Sequence, residues 1–227
     1  MTIWLASGND HKRRELSAIM TGHTLKLPAQ GGIDPFDPEE TGRAFVENAL
    51  IKARTLRRLL EERRETGPVL SDDSGLCVDA LDGRPGIYSA RYGSLGGKKI
   101  GAPERNALLL EEVRAALAEK PGGSESSRPQ RSCQRQRSCR RLRSCRFVCA
   151  MVLLFGEDRF YAVQETLEGE LVPSIDESRG AGGFGYDPVV YLPGLGRTVA
   201  ELTEEEKNTA SHRAKAGKAI ARLLAGG

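Results

Sequence analysis

Short apolar runs alternate with amphipathic helical patterns along this chain, and the alternation predicts an α/β fold. The run from Ile3 to Ala6 is typical of a strand, and a helical pattern follows it directly. Further along, the runs from Phe147 to Phe155 and from Arg159 to Leu167 are separated by Gly-Glu-Asp and predict a hairpin. Because a hairpin pairs its strands antiparallel, we expect a mixed sheet rather than a purely parallel one.

Length and composition narrow the class of protein. A chain of 227 residues with 39% hydrophobic and 29% charged side chains can bury a core, which excludes collagen, wholesale disorder and a disulfide mini-protein. The longest apolar run, Phe147 to Phe155, is about half of the roughly 20 residues that a membrane helix needs. The first residues lack a basic region followed by a long apolar one, so no signal peptide is predicted. We therefore expect a cytoplasmic protein without a membrane span.

The remaining elements follow from helical spacing and from turn residues. A long helix is predicted from about Arg43 to Glu65, with an apolar stripe that includes Phe45, Ala53 and Leu60. The other predicted elements are a strand at Pro68 to Leu70, an alternating segment at Leu76 to Leu81, a helix at Pro103 to Glu119, a glycine-rich loop at Gly180 to Pro188 and a final helical region after Thr203.

The corner between the first strand and the first helix suits a phosphate. Ser7-Gly8-Asn9 forms a turn, Asn9 can cap the helix, and Lys12 lies in its first turn. A helix start presents backbone N–H groups and the positive end of the helix dipole, which favour an anion. The alternative is a plain turn, since the segment is neither a Walker loop nor a dinucleotide fingerprint.

Two groups of acidic residues suggest a hard-cation site. Asp72 and Asp73 follow the predicted strand at Pro68 to Leu70, and Glu39 and Glu40 lie in an acidic loop. Adjacent carboxylates are costly to bury without a counter-charge, and an all-oxygen ligand set suits Mg²⁺ shared with substrate phosphates. The alternative is that these acids form turns and caps.

Basic and aromatic residues complement those acids. Lys12, Lys52, Lys207 and Arg213 each lie beside a turn or a helix start, as phosphate-binding residues often do, although each could be a surface charge. The loop Phe184-Gly185-Tyr186-Asp187 offers an aromatic ring and a carboxylate that suit a nucleobase, and its alternative is a surface hairpin with Phe184 in the core.

Four segments together resemble the inosine triphosphate pyrophosphatase family, the XTP/dITP diphosphatases that hydrolyse non-canonical purine nucleoside triphosphates. The segments are Ser7 to Lys12, Phe45 to Arg54, Ser71 to Leu76 with Gly86 to Tyr92, and Gly182 to Pro188 with Ala200 to Arg213. The resemblance covers nearly the whole chain. It implies an elongated mixed sheet flanked by helices, in two lobes with a central substrate cleft, as a single domain over residues 1–227.

The resemblance also implies the reaction and the roles of the residues. It implies cleavage between the α- and β-phosphates to give monophosphate and pyrophosphate, with Mg²⁺ as cofactor and a homodimer as the assembly. Asp73 is then the general base and a metal ligand, Lys52 is a catalytic residue that contacts the triphosphate, and Asp72, also grouped with the catalytic residues, supports the metal with Glu39 and Glu40. The implied substrate contacts are Ser7, Gly8, Asn9, Asp10, His11, Lys12, Ser74, Phe184, Gly185, Tyr186, Asp187, Lys207, His212 and Arg213.

Base selectivity has a physical rationale. Inosine and xanthine carry a 6-oxo acceptor where adenine carries a 6-amino donor, so a buried donor such as Arg213 would lose its partner against ATP. Rejection of GTP has no such rationale, because guanine shares the 6-oxo group. An enzyme of the same fold with another nucleotide preference is therefore an alternative.

The chain departs from the family in an arginine-rich insertion at about residues 124–145. Three hexapeptides that begin Arg-Ser-Cys start at Arg131, Arg137 and Arg143. The arginines between Arg128 and Arg146 account for the net charge of +3, because the rest of the chain is mildly acidic. We interpret the first two copies as a tandem duplication, and predict a disordered or extended loop whose exposed cysteines could form adventitious disulfides. The alternative function is polyanion binding through this repeat, but nucleic acid is an unlikely partner because no aromatic residue precedes Phe147 in it.

Overall fold

The computed structural model describes residues 1–94, 100–119, 143–180, 183 and 185–226. Short 3₁₀ helices interrupt the loops, among them Pro28–Gly31, Asp79–Leu81, Gly86–Arg91 and Asp187–Val189. The helices and strands, in chain order, are β1 (Thr2–Leu5), α1 (Asp10–Ile19), β2 (Thr24–Lys26), α2 (Phe45–Glu62), β3 (Val69–Val78), α3 (Ala102–Glu119), β4 (Ser144–Gly156), β5 (Arg159–Leu171), β6 (Val190–Leu192), β7 (Arg197–Thr198), α4 (Glu204–Ala210) and α5 (His212–Ala225).

The described strands form a seven-stranded mixed sheet in the order β2-β1-β3-β4-β5-β6-β7. Strand β1 pairs in parallel with β2 and β3, whereas β5 pairs antiparallel with β6, and β6 with β7. Neighbouring β4 and β5 are joined by two residues only, which is a hairpin connection. The predicted α/β class, the mixed sheet and this hairpin are therefore confirmed.

The chain divides into two compact units. One consists of Met1–Ser74, Val148–Leu167 and Glu204–Gly227, and the other of Gly75–Phe147 and Glu168–Thr203. In the first unit, side chains of β1 alternate between two apolar clusters. Ile3 and Leu5 belong to one cluster with Leu16 of α1 and Ile220 of α5. Trp4 and Ala6 belong to the other, with α2 residues Ala49, Ala53, Leu56 and Leu60.

The second unit is organised around α3. Leu109 and Val113 of this helix are buried, as are Leu76 and Leu81, and α3 packs on the 3₁₀ helix Asp79–Leu81. It also contains the ends of long strands, the short pair β6 and β7, and several 3₁₀ helices. The described part of the glycine-rich loop, residues 180, 183 and 185–188, lies in this unit as well.

The structure corrects several predicted boundaries. Helix α2 begins at Phe45 and ends at Glu62, so it is shorter than predicted at both ends. Strand β3 continues without a break from Val69 to Val78, so Asp72 and Asp73 lie inside a strand and not at the end of one. Strands β2, β6 and β7 were missed because each has only two or three residues, too few to show an alternating pattern.

The predicted insertion at residues 124–145 lies outside the described residues except for its last three positions. Cys145, in the third hexapeptide, is 1% exposed at the start of β4, so the prediction of an exposed cysteine is wrong there. Cys133 and Cys139 are outside the described part of the chain. No helix in the described ranges combines the length and the apolar character that crossing a membrane requires.

Candidate active site

Two adjacent carboxylates occupy the interior of β3, on opposite faces of the sheet. Side chains alternate along a strand, so Leu70, Asp72 and Ser74 share one face, and Val69, Ser71 and Asp73 share the other. Leu70 packs in the cluster of α1 and α5, and Val69 in the cluster of α2. The hydroxyl of Ser71 donates to the carbonyl of Ala49 in α2, at 2.6 Å. Each carboxylate therefore meets the helices of its own face.

Asp72 faces α1 and α5 and is 1% exposed. Its Oδ1 accepts a hydrogen bond from Lys12 Nζ at 2.9 Å. Its Oδ2 accepts from the hydroxyl of Ser74 at 3.0 Å and lies 3.4 Å from Arg213 Nε. Burial alone would raise the pKa of this carboxyl, but the charges of Lys12, Arg213 and Lys52 together hold its pKa well below the usual 3.8. Asp72 is therefore ionised at neutral pH.

Arg213 links this face to helix α1. Its Nη1 donates to Glu15 Oε2 at 2.6 Å, and its Nη2 lies 3.5 Å from the hydroxyl of Ser74. The guanidinium is buried, and the carboxylates of Asp72 and Glu15 compensate its charge. Sequence reasoning missed Glu15, because nothing in the pattern of α1 separates it from the other charged residues of that helix.

Asp73 faces α2 and shares a lysine with the acidic loop. Lys52 Nζ donates to Asp73 Oδ1 and to Glu40 Oε1, each at 3.0 Å. Burial, together with the nearby charge of Glu40, raises the pKa of Asp73 above its usual 3.8 despite the contact with Lys52. Burial alone would lower the pKa of Lys52, but Asp73, Asp72 and Glu40 outweigh it and raise the pKa. Lys52 is therefore a charged ammonium.

Asn48 is a further site residue: the sequence places it where it could face the acidic loop but assigns it no role. It is fully buried, its Nδ2 donates to Asp73 Oδ2 at 3.2 Å, and its Oδ1 accepts from the backbone N–H of Gly42 at 2.9 Å. It therefore fixes the second oxygen of Asp73 and the end of the acidic loop at the same time. The sequence signal was present: Asn48 and Lys52 are polar residues spaced i, i+4 on the apolar face of an amphipathic helix.

The corner before α1 has the predicted cap. Asn9 Oδ1 accepts hydrogen bonds from the backbone N–H groups of His11 and Lys12, and Ser7 Oγ accepts from the N–H of Asn9. Gly8 and His11 are exposed. Asp10 forms ion pairs with Arg13 and Arg14. The ammonium of Lys12 has three donors and uses one on Asp72, which leaves it able to bind an anion as well.

The C-terminal residues of the predicted site lie in α4 and α5. Lys207 is in α4, whose end is followed by Ser211, the N-cap of α5. His212 is the first residue of α5. Burial, reinforced by the charge of Arg213, lowers the pKa of its imidazole to about 3, so the ring is neutral at neutral pH.

The predicted residues of the glycine-rich loop are in the second unit. Phe184 lies outside the described residues. Tyr186 is buried and its hydroxyl donates to the carbonyl of Ser89, so its side chain anchors the loop. Asp187 is buried at the start of the 3₁₀ helix Asp187–Val189. Contacts of Gly185, Tyr186 and Asp187 with a substrate stay predictions.

The donor set on the α2 face fits Mg²⁺ that is bound partly by a substrate. Lys52 forms ion pairs there with two carboxylates, Asp73 and Glu40, which offer oxygen ligands side by side. On the other face Lys12 and Arg213 form ion pairs with Asp72, and Arg213 also pairs with Glu15. Mg²⁺ commonly takes one or two carboxylates and completes its shell with water and phosphate oxygens. Among the described residues, no three His, Cys, Asp or Glu side chains are grouped so that they could hold a metal ion by themselves.

The geometry also separates residues that the sequence had grouped. Glu40 reaches Lys52, whereas Glu39 is exposed. Asp72 points away from Glu40, to the other face of the strand, and both of its oxygens are used by Lys12, Ser74 and Arg213. This arrangement does not favour the predicted role of Asp72 as a support of the metal. It gives Asp72 the role of holding two cations in place.

Comparison with known proteins identifies the family. The family model described as the Ham1 family matches residues 3–223. The chain belongs to the Ham1 family. A dITP/XTP pyrophosphatase of Treponema denticola is 44% identical over 226 residues, which are 100% of both chains. A dITP/XTP pyrophosphatase of Treponema pallidum is 41% identical. That match includes 99% of this chain and 71% of the relative.

A solved structure supports the same assignment. The HAM1 protein from Coxiella burnetii superimposes with a TM-score of 0.79 at 33% identity, with 100% of both chains covered. The seven-stranded mixed sheet is thus the fold of a Ham1 family member. The names of the relatives confirm the resemblance to the XTP/dITP diphosphatases that the motifs carried.

Removal of the Asp72 charge should destabilise this Ham1 chain strongly. Asp72→Asn leaves Lys12 and Arg213 without their buried counter-charge, and we expect the free energy of unfolding to fall by about 3–5 kcal/mol. The matched control is Asp10→Asn, because Asp10 is exposed and its ion pairs lie at the surface. Urea unfolding of both variants gives the comparison, and equal losses would contradict a special role for Asp72.

The buried imidazole of His212 should lower the free energy of unfolding at acidic pH. The unfolded chain takes up a proton on this imidazole near pH 6.5, whereas the folded chain resists it until about pH 3, so stability is lost as the pH falls through that window. One group gives a slope of at most about 1.4 kcal/mol per pH unit. Denaturant unfolding at a series of pH values should show a shallower decline for His212→Asn than for the unmodified chain. Parallel curves between pH 6 and 4.5 would refute this origin.

Proposed function

We propose that this chain hydrolyses the non-canonical purine nucleoside triphosphates dITP, XTP and ITP to the monophosphate and pyrophosphate. The observation that carries the proposal is the group of buried Asp73, Lys52 and Asn48 with the partly buried Glu40 in a Ham1 family chain. Relatives that match 100% and 99% of this chain, at 44% and 41% identity, are named dITP/XTP pyrophosphatases. Removal of such nucleotides from the pool prevents their incorporation into DNA and RNA.

Asp73 is suited to accept the proton of the attacking water. Burial raises the pKa of Asp73, which makes it a stronger base than an ordinary exposed carboxylate. Lys52 and Asn48 hold one oxygen each, so the carboxylate keeps a fixed orientation before substrate arrives. The water oxygen forms a bond to the α-phosphorus as its proton passes to Asp73, the bond from the α-phosphorus to the bridging oxygen breaks, and pyrophosphate leaves with that oxygen.

Glu40 and Asp73 would hold the metal. Bound Mg²⁺ would offset negative charge on the phosphates and on the leaving pyrophosphate. Two carboxylates that share one lysine offer the oxygen ligands that Mg²⁺ prefers, which supports that assignment. Lys52 remains charged beside both carboxylates and keeps them in place as the substrate binds.

The basic residues and the start of α1 are suited to the triphosphate. Lys12 is fixed by Asp72 and has donors left for a phosphate oxygen. Gly8 and the N-terminus of α1 offer backbone N–H groups and the positive end of a helix dipole. Lys207, in α4, is proposed as a further phosphate contact.

The base is proposed to meet the glycine-rich loop together with His212 and Arg213. A neutral His212 can donate from one ring nitrogen and accept at the other, which suits a purine with a 6-oxo group. Arg213 already donates to Asp72, Glu15 and Ser74, and any hydrogen bond to a base would come in addition to those contacts. Phe184 is proposed to stack on the base.

The proposal includes two further expectations, a homodimer and a cytoplasmic location. The first is what the family resemblance implies, and the second comes from the sequence of the first residues, which predicts no signal peptide. Sizing of the purified protein in the presence of reductant measures the first, because the cysteines of the insertion could otherwise cross-link chains.

The reaction and the base preference can be tested in one assay. We expect pyrophosphate release from dITP, XTP and ITP in the presence of Mg²⁺, with much slower release from ATP and GTP. Asp73→Asn should lower the rate by roughly 100-fold or more, since it removes the general base. Release of orthophosphate instead of pyrophosphate, or equal rates for all five nucleotides, would overturn the proposal.

Substitution can test whether Glu40 or the neighbouring Glu39 binds the metal. Glu40→Gln should raise the Mg²⁺ concentration needed for half-maximal activity by about 10-fold or more, because a charged ligand is lost. Glu39→Gln is the matched control and should leave that concentration nearly unchanged, since Glu39 is exposed and Glu40 is the acid that reaches Lys52. The opposite ranking of the two variants would assign the metal to Glu39.

A further inference from the structure

The segment 185–187 of the glycine-rich loop is tied to helix α3 by one buried amide. Asn106, in α3, is 4% exposed, and its Nδ2 donates to the carbonyl of Gly185 at 3.1 Å. Gly185 has φ +64°, a left-handed backbone conformation that other residues rarely adopt. The bond from Asn106 therefore acts on the residue where the chain makes its unusual turn.

A second contact holds the next residue. The side chain of Tyr186 is buried, and its hydroxyl donates to the carbonyl of Ser89 at 3.0 Å. The hydroxyl of Ser89 in turn accepts from the backbone N–H of Leu76 at 2.8 Å and donates to the carbonyl of Gly86 at 2.6 Å. The segment is thus connected through Tyr186 and Ser89 to the 3₁₀ helix Gly86–Arg91 and to β3.

Helix α3 is itself fixed to the same 3₁₀ helix. Arg105, next to Asn106, donates to the carbonyl of Ala90 at 2.9 Å. Two turns further along, Glu112 accepts a hydrogen bond from the hydroxyl of Tyr92 and forms an ion pair with Arg84 at 3.1 Å. Three segments of the second unit are therefore bonded to one another. Helix α3 is bonded to the 3₁₀ helix Gly86–Arg91, and each of these two is bonded to the segment 185–187.

We propose that Asn106 is a positioning residue for base recognition, which acts by fixing the backbone of 185–187 through the Gly185 carbonyl. The inference rests on the proposed function, in which this loop meets the purine. Asn106 touches no reacting atom. It removes conformational freedom from the loop before substrate binds, so that binding does not have to order the loop.

The position demands this amide for a physical reason. A carbonyl that is partly shielded from water and loses its donor is no longer compensated for the water it gives up. Without the amide of Asn106, we expect the partly buried Gly185 carbonyl to turn toward solvent, which would displace the adjoining residues. The predicted consequence is weaker substrate binding with an unchanged chemical step, since Asp73, Lys52 and Glu40 make none of these contacts.

The test compares Asn106→Asp with two other variants of the full-length protein. Asn106→Asp keeps the size of the side chain but replaces the donor with an acceptor. Tyr186→Phe removes only the hydroxyl that donates to the carbonyl of Ser89. Val113→Ala is the matched control, because Val113 is buried on the same helix and its truncation weakens the core without touching the loop. Steady-state kinetics with ITP and Mg²⁺ and deuterium uptake of the peptide covering 180–190 are measured for each.

We expect Asn106→Asp to raise KM for ITP about 10-fold with kcat nearly unchanged, the scale set by one buried hydrogen bond. Tyr186→Phe should change KM in the same direction, and both variants should speed deuterium uptake at 180–190. Val113→Ala should alter neither KM nor uptake in that peptide. An unchanged KM in Asn106→Asp, or an equal rise in Val113→Ala, would overturn the inference. Absence of pyrophosphate release by the unmodified chain would instead refute the proposed function. The deuterium uptake would still test whether Asn106 fixes the segment 185–187.

Discussion

The buried carboxylate of Asp72 constrains the first unit more than any other single group. It lies inside a strand, away from water, and an unpaired charge there would cost several kcal/mol. Its partners are distant in sequence, since Lys12 is 60 residues away and Arg213 is 141 residues away. Helices α1 and α5 must therefore dock on the same face of β3 for the charge to be compensated. The close contact of Gly217 with Leu16 and Ile19, where a Cβ atom would lie 3.2 Å from Ile19, allows these helices to meet.

Strand alternation then gives two neighbouring residues of one type two different functions. Asp72 and Asp73 are chemically identical, but period-2 geometry sends them to opposite faces. On the face of Asp72, the cations Lys12 and Arg213 contact this carboxylate and lower its pKa. On the face of Asp73, Lys52 is shared between Asp73 and Glu40, and burial raises the pKa of Asp73. A carboxylate with a low pKa is suited to holding cations in place, whereas one with a raised pKa is suited to accepting a proton.

Periodicity predicted the long elements of the fold, and turn chemistry predicted the cap at Asn9. These signals are local: α2 and the hairpin of β4 and β5 each carry their pattern within one continuous segment. Strands β2, β6 and β7 carry no such pattern, because two or three residues hold their place through pairing partners elsewhere. The same limit applies to the site. Asn48 could have been found as a polar residue on an apolar face, but Glu15 and Asn106 are defined only by Arg213 and Gly185, which are remote in sequence.

The continuity of β3 has a consequence for catalysis. Had the strand ended at Leu70, as its short apolar run predicted, Asp73 would lie on a loop and its orientation would need substrate or metal to define it. Inside a ten-residue strand its backbone is fixed, and Lys52 and Asn48 from a single helix fix its two oxygens. The free energy that orients the general base is thus supplied by folding and not by substrate binding. Preorganisation of this kind explains why buried polar groups, which add little net stability, concentrate on the faces of one strand.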